Sequence, residues 1–325
     1  MKVAVTGASG HVGNCLCREL INNGVGVRAL VHDNEDDLIE MGAEIVRGDI
    51  LDPKAVLNLC RDVDVVYHLA AKISIDKKDK DVVYKTNVDG TQNVIDACLE
   101  LNVKRLIHFS TIHTFGTHNS DDVLDETSPP ITHSTILYED SKAEAERRVL
   151  AAVSKGLNAL VLNPTAIIGP FDYQPSYLGQ ALIKMYQNKL PMLVQGGYDF
   201  IDVRDVVAAA VNAADKGSPG NQYILSGQWL SLKDLALKIE QVTGNRTPKM
   251  VAPPFVAHIG LPFIRLWSAI TGTHPLYTAE SLEILKYSSD KISNAKAREV
   301  LGLNPRPIEA SLSDIFDLFK QQQMV

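Results

Sequence analysis

The sequence predicts an α/β fold, in which a doubly wound parallel sheet carries a smaller C-terminal substrate lobe. Short apolar runs rich in Val, Ile and Leu recur along the first half without strict alternation, which is typical of strands buried on both faces. Helical patterns separate these runs, as expected for repeated β-α units. The pattern changes near Pro170. We therefore expect a dinucleotide-binding domain in residues 1–170 and a mainly substrate-binding lobe in 171–325.

The first-half strands are predicted at 2–5, 26–31, 44–47, 63–69, 105–109 and 158–162, and the helices between them at 11–22, 53–61, 81–101 and 138–153. In the second half, helices are expected at 177–187, 204–214 and 231–243, and later sheet-contributing strands at 192–195 and 222–225. Further helical segments follow the Pro-rich break at 252–254, including one at 278–287.

Composition narrows the possible partners. The chain has 325 residues, is 45% hydrophobic and has a net charge of −7 without a basic tract, so nucleic acid is not an expected partner. It lacks a signal-peptide pattern and a run of 18 apolar residues, so we expect no transmembrane segment. The four cysteines match no metal-site spacing and are interpreted as reduced packing residues of a cytoplasmic protein. We expect no metal and a small-molecule substrate.

A glycine-rich turn joins the first predicted strand to the first helix. Gly7, Gly10 and Gly13 have the spacing of a dinucleotide-binding fingerprint: a tight turn, close approach to a pyrophosphate, and close helix packing. The N-terminus of the helix then faces the phosphates. Ser9, His11 and Val12 lie in the same turn and are candidate cofactor contacts.

The end of the second strand bears on the choice of cofactor. NAD-binding folds usually place a carboxylate there, whereas this chain has Val31 and His32, with Arg28 inside the strand. This pattern favours NADP(H) over NAD(H). NAD(H) stays open, because Asp33 follows directly and can serve the ribose.

Two further strand ends are candidates for cofactor binding. Asp49 and Ile50 follow the third strand, where an Asp can accept a hydrogen bond from the adenine amino group or simply form a turn. Leu69, Ala70 and Ala71 end the fourth strand with mostly small side chains, against which a cofactor can lie.

The residue pair Tyr138 and Lys142 has helical i,i+4 spacing, which places both side chains on one helix face. A free tyrosine has a pKa near 10. We expect the nearby ammonium to lower the pKa of Tyr138 towards the working range of an acid/base, and the lysine to bind the nicotinamide ribose. The hydroxyls of Ser110 and Thr111 leave the fifth strand at its carboxyl end, where ligands bind in such sheets.

These motifs together resemble the extended short-chain dehydrogenase/reductase superfamily, also called the NAD-dependent epimerase/dehydratase family. The matching segments are 6–13 (TGASGHVG), 49–50 (DI), 84–87 (YKTN), 90–91 (GT), 110–111 (ST), 138–142 (YEDSK), 163–165 (NPT) and 169–170 (GP). The resemblance implies a Rossmann fold over essentially the whole chain. It assigns Thr111 as the catalytic Ser/Thr, Tyr138 as acid/base, Lys142 as its helper and Asn87 as a supporting residue. Pro164, Ile167 and Ser176 would contact the nicotinamide end.

Three departures favour the dihydroflavonol-reductase-like branch. Ile112 and His113 stand where sugar-nucleotide dehydratases carry Asp-Glu, and Tyr198 stands where sugar-nucleotide enzymes commonly carry a diphosphate-binding Arg. The segment 164–171 also resembles that branch more than the epimerases. Against it, Asn163 resembles an epimerase residue that contacts the sugar nucleotide. We therefore expect reduction of a ketone or aldehyde. A nucleotide-sugar epimerase, or a non-catalytic dinucleotide sensor, are the alternatives.

Several expectations concern the substrate side and assembly. His113 would face the substrate if strand alternation continued, or be structural. Arg204 is the remaining cation for a diphosphate, or packs on the next helix. The apolar residues of the 255–267 segment are interpreted as core, a substrate pocket or a membrane surface. By resemblance, helices 81–101 and 138–153 form a homodimer interface through a set of apolar side chains: Val88, Ile95, Leu99, Val149 and Leu150.

Overall fold

A computed structural model describes residues 1–32, 35–73, 79–116, 122–253, 255–257, 259, 261, 282, 285 and 289–325. Asp33, Phe263, Ile264, Trp267 and most of the predicted 278–287 helix lie outside the described residues.

The fold centres on a seven-stranded sheet in which every neighbouring pair is parallel. Its strands are β1 (Lys2–Thr6), β2 (Gly26–Val31), β3 (Glu44–Arg47), β4 (Val65–His68), β5 (Arg105–Phe109), β6 (Ala159–Pro164) and β10 (Gln222–Leu225). The order β3-β2-β1-β4-β5-β6-β10 is that of a Rossmann fold with one added strand. The predicted doubly wound α/β class is confirmed, and the order reverses between β1 and β4.

The described α-helices are α1 (His11–Asn22), α2 (Asp36–Glu40), α3 (Pro53–Cys60), α4 (Lys80–Tyr84), α5 (Gly90–Glu100), α6 (Leu137–Val153), α7 (Tyr177–Tyr186), α8 (Val203–Ala213), α9 (Leu232–Thr243), α10 (Ala295–Leu301) and α11 (Ile308–Gln321). Buried side chains of α1, α8 and α10 pack on one face of the central sheet, and those of α3, α5 and α6 pack on the other. None of the described helices is long and apolar enough to span a bilayer.

Two small sheets lie outside the central one. Strands β7 (Ala166–Ile168), β9 (Gly197–Asp202) and β11 (Gln228–Ser231) form the first, and β8 (Leu193–Val194) pairs with β12 (Val251–Ala252) in the second. The prediction that segment 192–195 adds to the central sheet is therefore wrong, whereas 222–225 does join it. A third core, built from α7, α9, α11 and these strands, holds the C-terminal part together.

The helix predicted at 81–101 is interrupted. Residues Lys85–Asp89 form a π-helical turn between α4 and α5. Such turns are rare and occur often at functional sites, because the extra residue redirects the side chains of one turn. Asn87 lies within it and is 2% exposed.

The apolar residues predicted to form a homodimer interface pack mostly inside the chain. Val88, Ile95 and Val149 are at most 2% exposed, and Leu99 and Leu150 pack against the same core. The π-helical turn, α5 and α6 bury most of these side chains within the chain. The homodimer stays a prediction.

The glycine-rich turn depends on two close backbone contacts. A Cβ atom at Gly7, where φ is +70°, would lie 2.7 Å from the Ala70 nitrogen. A Cβ atom at Gly13 would lie 2.1 Å from the Gly7 carbonyl oxygen. Both positions therefore require glycine, because real Cβ contacts are never this short and backbone cannot yield easily.

We expect Gly13→Ala to lower the free energy of unfolding by about 1–3 kcal/mol, the usual penalty for overpacking. Gly10→Ala is the matched control, since its Cβ would meet the nearest atom at an ordinary 3.4 Å. Urea denaturation of both variants without cofactor measures the difference. Equal stability of the two variants would contradict the assignment of the close contact to Gly13.

Candidate active site

The carboxyl ends of β1 and β4 border the point where the strand order reverses, which is where open α/β sheets bind ligands. Helix α1 begins there, and its N-cap Gly10 supplies no side-chain cap. The first-turn N–H groups of α1 thus remain available to an anion. A small cavity of about 120 Å³ adjoins this helix end and is lined partly by Ser9, Gly10, His11 and Phe171. This glycine cradle fits a dinucleotide pyrophosphate.

A directed chain of hydrogen bonds links this turn to the π-helical turn. The Thr6 hydroxyl accepts from the Leu69 and Ala70 N–H groups (3.2 and 3.1 Å) and donates to His68 Nδ1 (2.7 Å). His68 Nε2 then donates to Thr91 Oγ1 (2.8 Å). Burial lowers the pKa of His68 to about 3, so its ring is neutral. Because the Thr91 hydroxyl donates to the Asn87 carbonyl oxygen, Nε2 of His68 must carry the ring proton.

The Thr91 hydroxyl completes the chain by donating to the Asn87 carbonyl oxygen (2.6 Å). The Asn87 side chain accepts from Lys72 N (2.7 Å) and donates to Lys72 O (3.1 Å) and Ser141 Oγ (2.9 Å). Its hydrogen-bonding capacity is thereby used to join the segment after β4 to α6. The supporting role in catalysis that the resemblance implies for Asn87 stays a prediction.

Tyr138 and Lys142 lie in the first two turns of α6, at the same edge of the sheet. The Lys142 ammonium donates to the Phe109 carbonyl oxygen (2.5 Å), and burial lowers the pKa of Lys142 to about 8. Burial, with a smaller effect from the Glu139 charge, raises the pKa of Tyr138 to about 12. The expected lowering of the Tyr138 pKa by Lys142 is not seen, because the effect of burial dominates. Tyr138 is therefore protonated at neutral pH and suited to donate a proton.

Thr111 follows β5 and is 7% exposed. Its hydroxyl oxygen accepts from the His113 N–H group (3.4 Å), which caps a 3₁₀ turn at Ile112–Thr114. The alternation of side-chain direction along β5, on which the prediction for His113 depended, therefore ends before His113. The His113 ring instead lies 3.7 Å from a Glu139 carboxylate oxygen, and its burial lowers its pKa to about 4.

Asn163 occupies a different place from the predicted substrate contact. It is 0% exposed, and its amide nitrogen lies within hydrogen-bonding distance of Glu146 Oε2 (2.8 Å), Thr114 Oγ1 (3.1 Å) and Thr111 O (3.2 Å). It is part of a buried network beneath the site. The sequence analysis missed Glu146, although it continues the stripe of Tyr138 and Lys142 at a further four residues.

Arg28 is not available to a cofactor phosphate. Its guanidinium bonds Glu44 (2.8 Å) and the Leu59 and Arg61 carbonyl oxygens (3.3 and 2.5 Å). These carbonyl groups lie at the C-terminal end of α3. Because α3 runs antiparallel to the strands, this end lies at the amino-terminal edge of the sheet, and the Arg28 guanidinium is therefore directed away from the ligand crevice. His32, at the carboxyl end of β2, is exposed.

The remaining candidate cofactor contacts surround the same crevice. The Asp49 carboxylate accepts from Leu51 N (2.9 Å), which is the turn interpretation, although Asp49 is exposed and has a second oxygen. Ser176 caps α7 by accepting from Gly179 N (3.0 Å) and donates to Asp172 (2.9 Å), so its hydroxyl is engaged locally. His11 bonds the Pro170 carbonyl (2.9 Å). Pro164 ends β6, and Ile167, in β7, is half-buried.

Tyr198, which stands where sugar-nucleotide enzymes commonly carry an arginine, has apolar neighbours. The Tyr198 ring packs against Phe200 and joins a cluster formed by Val194, Ala257, Leu261, Leu282 and Leu285. Within the 255–267 segment, Leu261 is therefore core, while Phe255 and Ile259 are 66% and 67% exposed.

The alternative cation, Arg204, is already neutralised. It pairs with Asp202 (2.8 Å) at the start of α8 and with Asp314 (2.6 Å) on α11. A diphosphate would have to displace both carboxylates.

A glycine cradle, a Rossmann sheet and a Tyr-Lys pair on one helix define a dinucleotide-dependent enzyme. Residues 3–226 match the model of the NAD dependent epimerase/dehydratase family, and the chain belongs to this family. It is an NAD(P)-dependent oxidoreductase of the extended short-chain dehydrogenase/reductase type.

Similar proteins include sterol demethylase protein B of Methylococcus capsulatus, 30% identical over the whole of both chains. A putative dihydroflavonol 4-reductase of Synechocystis is 29% identical, covering 99% of this chain and 95% of the relative. A 2-alkyl-3-oxoalkanoate reductase of Stenotrophomonas maltophilia is 32% identical, covering 87% and 89%.

Two solved structures have the same fold over nearly the whole chain. The crystal structure of gox2253 superimposes with a TM-score of 0.84 at 30% identity, over 98% of each chain. That of UDP-glucuronic acid 4-epimerase from Bacillus cereus, in complex with NAD, gives 0.79 at 21% identity, over 99% and 97%.

We expect Tyr138→Phe to lower turnover by about two or more orders of magnitude, the contribution of a lost general acid, while cofactor affinity is retained. Tyr67→Phe is the control, because it removes a buried hydroxyl with no hydrogen-bond partner among the described residues. Steady-state rates and cofactor fluorescence titrations measure both effects. Wild-type turnover in Tyr138→Phe would remove Tyr138 from the mechanism.

Proposed function

We propose that the protein reduces a ketone or aldehyde of a small, apolar, non-nucleotide substrate, using NADPH. The observation that carries the proposal is the surroundings of Tyr198: an apolar cluster stands where a diphosphate-binding arginine would be needed. The nearby cation Arg204 is held by two carboxylates. A buried diphosphate without cations loses its charge-assisted hydrogen bonds, whereas an uncharged substrate needs none.

The names of relatives support the same chemistry. Two of the three relatives described above are named as reductases, one of a 3-oxoalkanoate and one of a dihydroflavonol, and the third is named for a sterol. None of the three names refers to a nucleotide. The family also contains nucleotide-sugar epimerases with the same fold, which makes epimerisation the alternative to test.

The proposed mechanism assigns one task to each side chain. The cradle at Gly7, Gly10 and Gly13 and the Lys142 ammonium hold the cofactor, which when bound supplies the hydride for the carbonyl carbon. Thr111 and Tyr138 donate hydrogen bonds to the carbonyl oxygen and so polarise it. Tyr138 then transfers its proton to that oxygen as negative charge develops there, and an alcohol results. A protonated Tyr138, as its raised pKa requires, is the form needed for reduction.

We further propose a preference for NADP(H) over NAD(H), which now rests on Val31 and His32 because Arg28 is engaged elsewhere. We expect a lower Kd for NADPH than for NADH at one ionic strength, measured by nicotinamide fluorescence. His32→Ala should weaken NADPH binding more than NADH binding. Tighter binding of NADH by the wild type would overturn the preference, and Asp33 would then be the residue to substitute.

The substrate proposal predicts that UDP and UDP-sugars do not bind the cofactor-loaded enzyme at micromolar concentration. Calorimetric titration of UDP, beside a panel of aliphatic and polycyclic ketones assayed by NADPH absorbance, makes the comparison. We expect turnover with members of the apolar panel and no competition by UDP. Micromolar UDP binding that competes with turnover would favour the epimerase alternative.

A further inference from the structure

A buried carboxylate lies beneath the Tyr138 and Lys142 pair. Glu146 is two turns beyond Tyr138 on α6 and is 3% exposed. Its Oε2 accepts from Asn163 Nδ2 (2.8 Å) and Thr114 Oγ1 (3.0 Å), and its Oε1 accepts from Gln222 Nε2 (2.6 Å). These donors come from β6, the 3₁₀ turn after β5, and β10. One side chain thus joins α6 to three other elements.

Burial raises the pKa of Glu146, whereas side-chain hydrogen bonds and the charge of Lys142 act against this rise. With Glu146 anionic, each of its two oxygens accepts from a neutral donor. One Asn163 N–H donates to Glu146 Oε2 (2.8 Å) and the second to the Thr111 carbonyl oxygen (3.2 Å). The Thr114 hydroxyl lies within donating distance of both Glu146 Oε2 (3.0 Å) and the Thr111 carbonyl oxygen (2.9 Å). Gln222 is a neutral donor to the other oxygen. Since Asn163 bonds the Thr111 peptide and Glu146 together, the network fixes the position of Thr111 relative to α6.

The same carboxylate is the counter-charge of Lys142, one helical turn away. Its field opposes the effect of burial on the Lys142 pKa. From β4 and β5, His68 and His108 face the ammonium, but burial keeps both imidazoles neutral. From α6 itself, Tyr138 is protonated at neutral pH.

Among the described residues, the two turns packed on α6 add no charge that compensates for Glu146. The π-helical turn contributes the amide of Asn87, and its Asp89 faces Arg148 at 3.7 Å. The 3₁₀ turn contributes His113, which is neutral above pH 4 or so.

We propose that Glu146 is a positioning residue of the active site, which holds the Thr111 turn against α6 and keeps Lys142 an ammonium ion through a charge beneath it. The inference rests on the proposed roles of Thr111, Tyr138 and Lys142. It is independent of which carbonyl compound is reduced.

Cofactor binding tests the proposal without turnover. We expect NADPH affinity of the wild type to fall as pH rises through about 8, where Lys142 loses its proton. Glu146→Gln keeps the side-chain shape but removes the charge, so the midpoint should move down by about one pH unit or more. Glu144→Gln, the same change on an outer position of α6, should leave the midpoint unchanged. An unshifted midpoint in Glu146→Gln would overturn the counter-charge role.

Turnover tests the second part of the role. At pH 7.5 we expect Glu146→Gln to lower kcat about tenfold or more with a smaller change in KM, because misplaced catalytic groups affect the chemical step. Glu146→Asp keeps the charge and shortens the side chain, so its pH midpoint should stay near that of the wild type while kcat falls. Wild-type kcat in Glu146→Asp would contradict the positioning role, even if Glu146→Gln proved too unstable to purify.

The two proposals fail in different ways. A wild-type enzyme that reduces no carbonyl compound contradicts the proposed function, but the binding midpoints of Glu146→Gln and Glu144→Gln still decide the inference about Glu146. An enzyme that reduces carbonyls with identical pH profiles in all variants retains the proposed function and excludes the role of Glu146.

Discussion

The close approach of the turn after β1 to the end of β4 is the contact on which the site depends. Gly7 lies against the Ala70 backbone with no room for a Cβ atom. The Thr6 hydroxyl accepts hydrogen bonds from the Leu69 and Ala70 N–H groups, which follow β4. This contact leaves a crevice where the strand order reverses. Through His68, the same hydroxyl continues into a chain of buried hydrogen bonds that ends at Asn87. The glycine cradle and helix α6 are thus joined by one connected set of groups.

Helix α6 carries three ionisable side chains whose burial is energetically unfavourable. Tyr138 is half-buried, and Lys142 and Glu146 are buried on the two following turns. Burial of a charge costs several kcal/mol unless it is paired or hydrogen-bonded. Lys142 is stabilised by a backbone carbonyl and Glu146 by three neutral donors. Such groups contribute little to stability by comparison with an apolar core. Their retention inside the fold is the physical signature of an active site.

The sequence predicted much of the fold but less of the site. Strand and helix periodicities located β2, β3, β5 and β10 to the residue, because buried parallel strands and amphipathic helices have distinct local patterns. The short strands β7, β9 and β11 were not predicted. They pair with segments far away in sequence. Strand β7 is shorter than a central strand, and β11 lacks the continuous apolar run of one.

The sequence alone determined the class of protein: the glycine spacing, the Tyr-Lys spacing and the β-α repetition are local features, and each keeps its meaning in the folded chain. Tertiary structure alone decided the partner of each polar side chain. Arg28 binds carbonyl groups at the end of α3, and Asn163 binds Glu146 in the interior. Glu146 also binds Gln222, which is 76 residues away in the sequence. The direction and hydrogen bonds of a side chain depend on elements that meet only after the sheet has formed, and no local pattern encodes that meeting.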